Sequence, residues 1–456
     1  MPRSNQKVRT RAAKSTPSLP IVVPHAAGID IGSNRTFVCV PTDSCAEPIA
    51  CFGMFTEDLL AIAKWLKDCS VQSVAMESTG VYWIPLFQIL EDQGFAVTLI
   101  NPNYPKKPKK SDVEDCQWLQ YLHAVGLLTP SFRPAQQVCA VRSIIRHRSN
   151  HVRESSAHVQ RMQKSLIQMN LLLHNVISDI TGKTGLAILD AILAGERDPE
   201  ALAHHRDPRI KAQAEAIAKS LVGDYREEHL FTLRQSLEAY RFLHSQMSAC
   251  DAQIARMLAV FDAAVDVEEN PLPKVLRRSA KSQKNMVDLP DGDLRSEMYR
   301  IIGVDLTRIP GIEADTVHAL FCEIGADLSR FPTEGHFVSW LGLCPNNRIS
   351  GGRVLYNKTR RVKSRACQIL RVAAGSLTNC RFYLGQFYRR MRARFGPTAA
   401  NVAAAHKLAR IIYRLITTKE PYDETMFDNA SERFQEKRLR NLRKQASLLG
   451  YNLAPV

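Results

Sequence analysis

The segment from Ala26 to Leu128 alternates apolar runs with amphipathic stretches, and this alternation constrains the fold of the 456-residue chain more than any other feature. Runs rich in β-branched and aromatic residues predict strands, and apolar residues three or four positions apart predict helices. The predicted elements are strands at 26–33, 36–40 and around Phe52, a helix at 57–68, a strand at 71–76, a helix at 82–91, a strand at 95–100 and a helix at 116–128. The order β-β-β-α-β-α-β-α predicts an α/β domain.

The stretch Lys110-Ser111-Asp112-Val113-Glu114-Asp115 precedes the last of these helices. Ser111 and Glu114 have the spacing of a capping box, which predicts that the helix begins here. Asp112 and Asp115 are three positions apart and therefore share one face of the first turn. Acids at this place can simply complement the helix dipole, or they can bind a cation such as Mg²⁺, which takes oxygen ligands. The pair alone leaves both interpretations open.

Two acids upstream favour the metal interpretation. Asp30 lies inside an otherwise apolar strand, and Glu77 directly follows a later one. A carboxylate in a buried strand costs folding free energy unless it is paired or bound to a metal. The ordered series Asp30, Glu77, Asp112 and Asp115 resembles the acid tetrad of the RNase H-like fold of RuvC-type nucleases, which holds two divalent ions. Two such ions neutralise the attacked phosphate, activate the nucleophile and stabilise the leaving oxygen.

A nucleotide-binding interpretation competes for the same strand. Asp30-Ile31-Gly32-Ser33 also resembles the first phosphate loop of actin-like ATPases and sugar kinases. Those enzymes need a second D-x-G loop, and Asp291-Gly292-Asp293 does not fit it. Residues 180–184 resemble the end of a P-loop, but Ile177 stands where the first glycine belongs. A nucleotide kinase is therefore disfavoured.

Charge and cysteine usage narrow the class of partner. The net charge is +16, with 61 basic against 45 acidic residues, which suits a polyanion. The 11 cysteines are scattered without a C-x-x-C motif, so a disulfide framework and a zinc ribbon are disfavoured and a reducing cytoplasm is expected. No apolar run has the length of a membrane span, so no membrane partner is expected.

Composition predicts the following division of the chain: a disordered basic arm at 1–24, the acid-bearing domain at 25–132, a helical, partly coiled-coil region at 133–267, a Pro- and Arg-containing linker at 268–298, a mainly helical domain at 299–424 and a basic helical tail at 425–456. The near-heptad apolar spacing of the central region suits a spacer and a dimer or tetramer contact equally. His147 and His151 have the i, i+4 spacing of a zinc site. With no acid or cysteine partner evident nearby, we interpret them as solvated helix positions.

Two motifs stand out in the C-terminal domain. Residues 306–325 resemble a helix-hairpin-helix, although Glu313 replaces the second glycine of the common form, and such a turn can bind phosphate or be purely structural. Ser350 precedes Gly351 and Gly352, a pattern that is by itself typical of a turn. Basic residues crowd this serine: Arg348, Arg353, Lys358, Arg360, Arg361, Lys363 and Arg365.

The motifs together resemble one family, the DEDD-type, bridge-RNA-guided transposases of the insertion-sequence 110/1111 group. The matching pieces run in family order: Gly28-Ile29-Asp30, residues 76–82 around Glu77, Asn101-Pro102, residues 110–115, residues 309–312, Gly342-Leu343-Cys344-Pro345 and Ser350-Gly351-Gly352. Ser111 stands where the family commonly has Thr. The long middle region suggests the 1111-like subgroup.

This resemblance implies the function. Asp30, Glu77, Asp112 and Asp115 would hold Mg²⁺ or Mn²⁺, and Ser350 would attack a DNA phosphate to form a 5′-phosphoserine. The implied partners are donor and target DNA, a structured guide RNA and further copies of the chain, in a homodimer or homotetramer. The implied location is the nucleoid of a bacterial cytoplasm.

Two other functions stay open on the residues alone. A RuvC-like structure-specific nuclease would use water as the nucleophile and would not need Ser350. A non-catalytic nucleic-acid-binding protein would need neither the serine nor the four acids.

Overall fold

The computed structural model describes residues 19–78, 80–101, 111–273, 285–290, 292–356, 358–360, 362 and 364–452. Most of the predicted basic arm, the loop at 102–110 and residues 274–284 of the predicted linker lie outside these ranges. The chain forms two compact units, Met1–Arg133 and Pro134–Val456. None of the helices within the described ranges combines the length and apolar composition needed to cross a membrane.

The first unit is built on a five-stranded mixed sheet. Its elements are β1 (Ala26–Ile31), β2 (Thr36–Cys39), β3 (Ile49–Phe52), α1 (Thr56–Asp68), β4 (Ser73–Glu77), α2 (Trp83–Asp92), β5 (Ala96–Ile100) and α3 (Asp112–Ala124). The strand order is β3-β2-β1-β4-β5. β2 is antiparallel to β1 and β3, whereas β1, β4 and β5 are parallel. The predicted order of strands and helices is confirmed.

Side chains along β1 and β4 alternate between the two faces of the sheet, and helices cover each face. Ile29, Val74 and Met76 are fully buried in one core together with apolar residues of α1 and α2. On the other face, a Cβ built at Gly28 would lie 2.2 Å from the backbone nitrogen of Gln120. Helix α3 therefore covers this second face at backbone distance, and only glycine fits beneath it.

The second unit begins with two long helices that pack on each other, α4 (Gln136–Gln168) and α9 (Glu227–Leu258). Between them lie four short helices, α5 (Leu173–Val176), α6 (Lys183–Ala194), α7 (Pro199–Ala203) and α8 (Ala214–Ser220). The region predicted to be helical at 133–267 does contain helices, and those in its middle are only 4–12 residues long. Gly195 ends α6 at a φ of 110°, and Pro199 starts α7. The short helices share a core with α4 and α9 that includes Leu189, Leu202 and Leu221.

The rest of the second unit is mainly helical. Its elements are α10 (Leu294–Ile302), a 3₁₀ turn (Leu306–Arg308), α11 (Ala314–Ile324), α12 (Glu334–Trp340), β6 (Arg348–Ser350), β7 (Arg353–Tyr356), α13 (Arg365–Ser376), α14 (Tyr383–Thr418, interrupted at Gly396) and α15 (Asp428–Leu448), with further 3₁₀ turns at Leu377–Asn379 and Glu424–Phe427. The linker expected at 268–298 extends too far, because α10 begins at Leu294. The Asp293 carboxylate accepts a hydrogen bond from the Ser296 backbone N–H and caps this helix.

Candidate functional site

Asp30 and Glu77 occupy matching places on neighbouring parallel strands. In the register of β1 with β4, Ile29 pairs with Met76, and each acid is the next residue along its strand. Because Ile29 and Met76 face the core under α1 and α2, the two acids face the opposite side, which α3 covers. Both are half-buried. The sheet therefore brings these two carboxylates to one face near the carboxyl ends of β1 and β4.

Helix α3 runs antiparallel to β1, so its first turn lies at that same end of the sheet. Three contacts establish its direction. The backbone carbonyl oxygen of Cys116 would lie 2.4 Å from a Cβ built at Gly28. One turn later, the backbone of Gln120 lies over Gly28, and the Gln120 side chain donates to the Ala26 carbonyl at 3.2 Å. Asp112 and Asp115, which precede Cys116, therefore lie towards Asp30 and Glu77.

The first turn of α3 is fixed by its cap. The Ser111 hydroxyl accepts a hydrogen bond from the Glu114 backbone N–H at 3.2 Å, as the sequence predicted. Behind this turn, the pKa of the Cys116 thiol is raised by the neighbouring Cys39 thiol, by burial and by the negative charge of Asp30. The neutral thiol adds no further negative charge to the site.

The donor chemistry of the four acids fits a hard divalent cation, because every candidate ligand is a carboxylate oxygen. Asp112 is exposed, and Asp115 is half-buried like Asp30 and Glu77. Within the described residues, no three of these acids offer oxygens that all lie within 4.8 Å of one another. Carboxylates repel one another at shorter range unless cations lie between them. The acids are thus placed together at one end of the sheet at spacings wider than ligation requires.

Ser350 lies on the tip of an exposed β-hairpin. It pairs with Arg353 across the turn, and Gly351 and Gly352 have φ values of 54° and 75°. A two-residue turn of this kind needs positive φ at both positions, which explains both glycines. Among the described residues the serine hydroxyl has no hydrogen-bond partner, and open space surrounds the turn. The expected turn is therefore present, and it leaves the hydroxyl accessible to a large substrate.

The basic residues around this hairpin divide into three groups. Arg348 and Arg353 are exposed on the strands themselves, and the Arg348 guanidinium lies 5.9 Å from the Tyr356 ring centre. Lys358 and Arg360 are exposed just beyond β7, and Arg360 donates to the Ser339 carbonyl at 3.3 Å. Arg365 is exposed at the start of α13, whereas Arg361 and Lys363 lie outside the described residues. The described basic side chains are thus exposed along the hairpin and the segment that follows it, and their contact with a polyanion stays a prediction.

The glycine of the expected helix-hairpin-helix turn, Gly311, packs tightly against α13. A Cβ built there would lie 2.8 Å from Ser376 Oγ and 3.0 Å from the Ala373 carbonyl oxygen. Ile309 and Ile312, on either side, are buried. Packing therefore explains the glycine and the two isoleucines of this motif, and its binding to phosphate stays a prediction.

One further cluster of potential ligands was not predicted from the sequence. His147 and His151 were expected to be solvated because no partner was evident, but Cys250 of α9 lies beside them. That expectation is wrong for His151, which is half-buried. No local sequence pattern indicates this cluster, because Cys250 lies beside the two histidines only through the packing of α9 on α4.

Two family models match the chain. A DEDD-type IS110 transposase model covers residues 27–171, and a model for transposases of the IS116/IS110/IS902 family covers residues 305–389. No curated protein matches it. The first match spans all four acids and the second spans Ser350. Both models describe transposases, so the protein is a DNA transposase, an enzyme that binds and rearranges DNA. More specifically, the chain belongs to the IS110 family of transposases.

Proposed function

We propose that this transposase cuts and exchanges DNA strands through a covalent phosphoserine on Ser350, with divalent metal held by Asp30, Glu77, Asp112 and Asp115. The observation that carries the proposal is the placement of the four acids towards one end of the five-stranded mixed sheet, which we interpret as RNase H-like and RuvC-like. Parallel pairing of β1 with β4 and the reversed direction of α3 bring together side chains that are far apart in sequence. The DEDD-type family match independently supports a need for divalent metal.

The four carboxylates would hold Mg²⁺ or Mn²⁺, which supplies charge neutralisation at the phosphate and activation of the attacking oxygen. The chain's own residues orient this site. The Ser111 cap fixes the first turn of α3, and the close contact at Gly28 fixes the distance of α3 from the sheet. Asp112 and Asp115 are thereby held over the strand that carries Asp30.

Ser350 provides the nucleophile in the proposed reaction. Its oxygen bonds to the DNA phosphorus, the bond from phosphorus to the 3′-oxygen breaks, and the serine proton ends on the released 3′-hydroxyl. A 3′-hydroxyl of the partner strand then attacks the phosphoserine, which restores the serine and joins the new strand. Arg348 and Arg353 flank the hydroxyl and can donate to the phosphate oxygens.

We further propose that a structured RNA from the same element selects donor and target DNA by base pairing. The protein would then recognise RNA shape and backbone rather than base sequence, which suits its net charge of +16. A homodimer or homotetramer would supply the acids and the serines for both DNA strands.

The proposal is tested by measuring recombination in cells between a donor plasmid and a target plasmid. The gene is supplied together with its flanking DNA, which includes the noncoding stretch that would encode the guide RNA. Asp30→Asn or Glu77→Gln should abolish recombination and leave RNA binding intact. The matched control is Asp68→Asn, because Asp68 is an exposed acid at the end of α1. Recombination near the wild-type level in both site variants would contradict the proposal.

One observation favours a second candidate, a nuclease that uses water. The Ser350 hydroxyl has no base within hydrogen-bond reach among the described residues, and an unperturbed serine is a weak nucleophile. Such a nuclease would release free 5′-phosphate ends and form no adduct. The two functions are therefore separated by whether DNA becomes attached to the protein.

A further inference from the structure

The face between α4 and α9 contains a group of nitrogen and sulfur ligands that the proposed transposition chemistry does not use. His147 and His151 lie one turn apart on α4, and their Nε2 atoms are 3.0 Å apart. Cys250 is buried on α9, in the apolar series that includes Met247 and Ile254. One ligand atom from each of these three residues lies within 4.8 Å of the other two. The cluster therefore joins the two longest helices of this region.

The ring nitrogen of His151 that faces away from the cluster, Nδ1, has the surroundings that are usual for the second nitrogen of a metal-bound histidine. Nδ1 is buried, makes no hydrogen bond within the described part of the chain, and lies 3.5 Å from Glu154 Oε2. Histidines that bind a metal through one nitrogen usually donate the other N–H to a carboxylate, which orients the ring. Only a small movement of Glu154, which is exposed at the surface, would complete this bond.

The neighbouring positive charge does not oppose a cation at this place. Arg148 follows His147, but its guanidinium forms a two-bond ion pair with Asp251 at 2.5 and 3.0 Å. It also donates to the carbonyl oxygens of Asn285 and Met286 at 2.9 and 2.6 Å. The charge of Arg148 is thus compensated next to the cluster.

We propose that His147, His151 and Cys250 bind one Zn²⁺ ion, which fastens α4 to α9 and is separate from the carboxylate site. Two imidazole nitrogens and a thiolate are ligands that select zinc over Mg²⁺, which takes oxygen. The three ligands leave a fourth tetrahedral position for water. Tetrahedral neighbours around zinc are roughly 3.3–3.7 Å apart for bond lengths of about 2.0–2.3 Å. Binding therefore needs only small movements: the two Nε2 atoms, which are 3.0 Å apart, separate slightly, and the Cys250 sulfur, which lies within 4.8 Å of a nitrogen of each histidine, takes a similar distance.

Metal binding to the full-length protein tests the site without any assay of transposition. The metal-stripped protein is titrated with Zn²⁺ against a chromophoric chelator, and with Co²⁺ while absorption is recorded. We expect one tight ion per chain, a thiolate-to-cobalt charge-transfer band and a Zn²⁺-dependent rise in melting temperature. His147→Ala and Cys250→Ser should each weaken affinity by more than about 100-fold, and Glu154→Gln by about 10-fold.

Matched variants on the same helix keep the test specific. Cys139→Ser and His158→Ala change a cysteine and a histidine of α4 outside the cluster and should retain the wild-type affinity and spectrum. Because His147 is exposed, its substitution leaves the fold intact even if the change at buried Cys250 does not. Zinc binding that is unaffected by His147→Ala, or a cobalt spectrum without the thiolate band, would overturn the proposal. This test reads zinc affinity and the cobalt spectrum, so its result does not depend on whether any variant recombines DNA.

Discussion

His318 is a buried histidine whose ionisation links stability to pH. It lies on α11, is 1% exposed, and its Nε2 has no hydrogen-bond partner among the described residues. Burial, with a smaller contribution from the positive charge of Arg148, lowers the pKa of His318 to about 4. The unfolded chain therefore binds a proton from about pH 6.5 downward, whereas the folded protein does not until about pH 4.

Acidification should consequently destabilise the protein through this residue. The loss is about 1.4 kcal/mol per pH unit across that window, or about 2 kcal/mol between pH 7 and pH 5. Urea unfolding at pH 7 and at pH 5 measures this fall in the free energy of unfolding. The fall should be about 2 kcal/mol smaller in His318→Leu than in the wild type. His336→Gln, at an exposed position on α12, is the control. An equal loss in wild type and His318→Leu would contradict the assignment.

At the residue scale, the sequence predicted those features that depend on residues close together in the chain. The Ser111 cap, the position of Asp30 within β1 and the turn after Ser350 all follow from neighbouring residues and were predicted. Cys250 beside His147 could not be predicted, because their contact depends on how α4 and α9 pack. Packing register is set by many apolar side chains together, and no short motif encodes it.

At the scale of elements, the contact of β1 with α3 controls the acid site. A Cβ at Gly28 would meet backbone atoms at 2.2 and 2.4 Å, so Gly28→Ala must push α3 away from the sheet. We expect a destabilisation of about 1–3 kcal/mol and a loss of Mg²⁺ affinity, because α3 carries Asp112 and Asp115. Denaturant unfolding and calorimetric titration measure the two effects.

Gly292→Ala is the matched control, since nothing lies within 4 Å of a Cβ at that position. It should change neither quantity. Unchanged metal affinity in a folded Gly28→Ala variant would show that the position of α3 does not determine the site.

The segment that follows β7 should bind nucleic-acid phosphates. Lys358→Glu with Arg360→Glu should weaken DNA or RNA binding for all sequences. The slope of log K against log salt should flatten by about 1 for each phosphate that the variant no longer neutralises. Arg256→Glu, an exposed arginine on α9, is the control. Weaker binding to one target sequence alone would indicate base readout instead.

The elements themselves were predicted unevenly, for physical reasons. The strands and helices of the first unit were identified because alternation and helical periodicity are strong there. The start of α10 was missed because prolines and basic residues precede it, although Asp293 and Ser296 have the spacing of a cap. Helices α5, α7 and α8 were missed because each, with four to seven residues, is too brief to show periodicity. Helix α6, with 12 residues, was not distinguished from the helical region around it.

At the scale of the whole molecule, the acids and the serine belong to different units. The four acids lie in Met1–Arg133 and Ser350 in Pro134–Val456. The mechanism we propose needs both, so neither unit alone should cut DNA.

The most direct test is to trap and map a covalent protein–DNA adduct. The full-length protein is incubated with DNA, the element's RNA and Mg²⁺, quenched in denaturant and digested for mass spectrometry. We predict DNA attached to Ser350, no adduct in Ser350→Ala, and a normal adduct in Ser339→Ala. Ser350→Ala should keep its fold, since a substitution on an exposed loop usually changes stability by about 0.5 kcal/mol or less. DNA attached to another residue, or strand exchange that persists in Ser350→Ala, would contradict the phosphoserine mechanism.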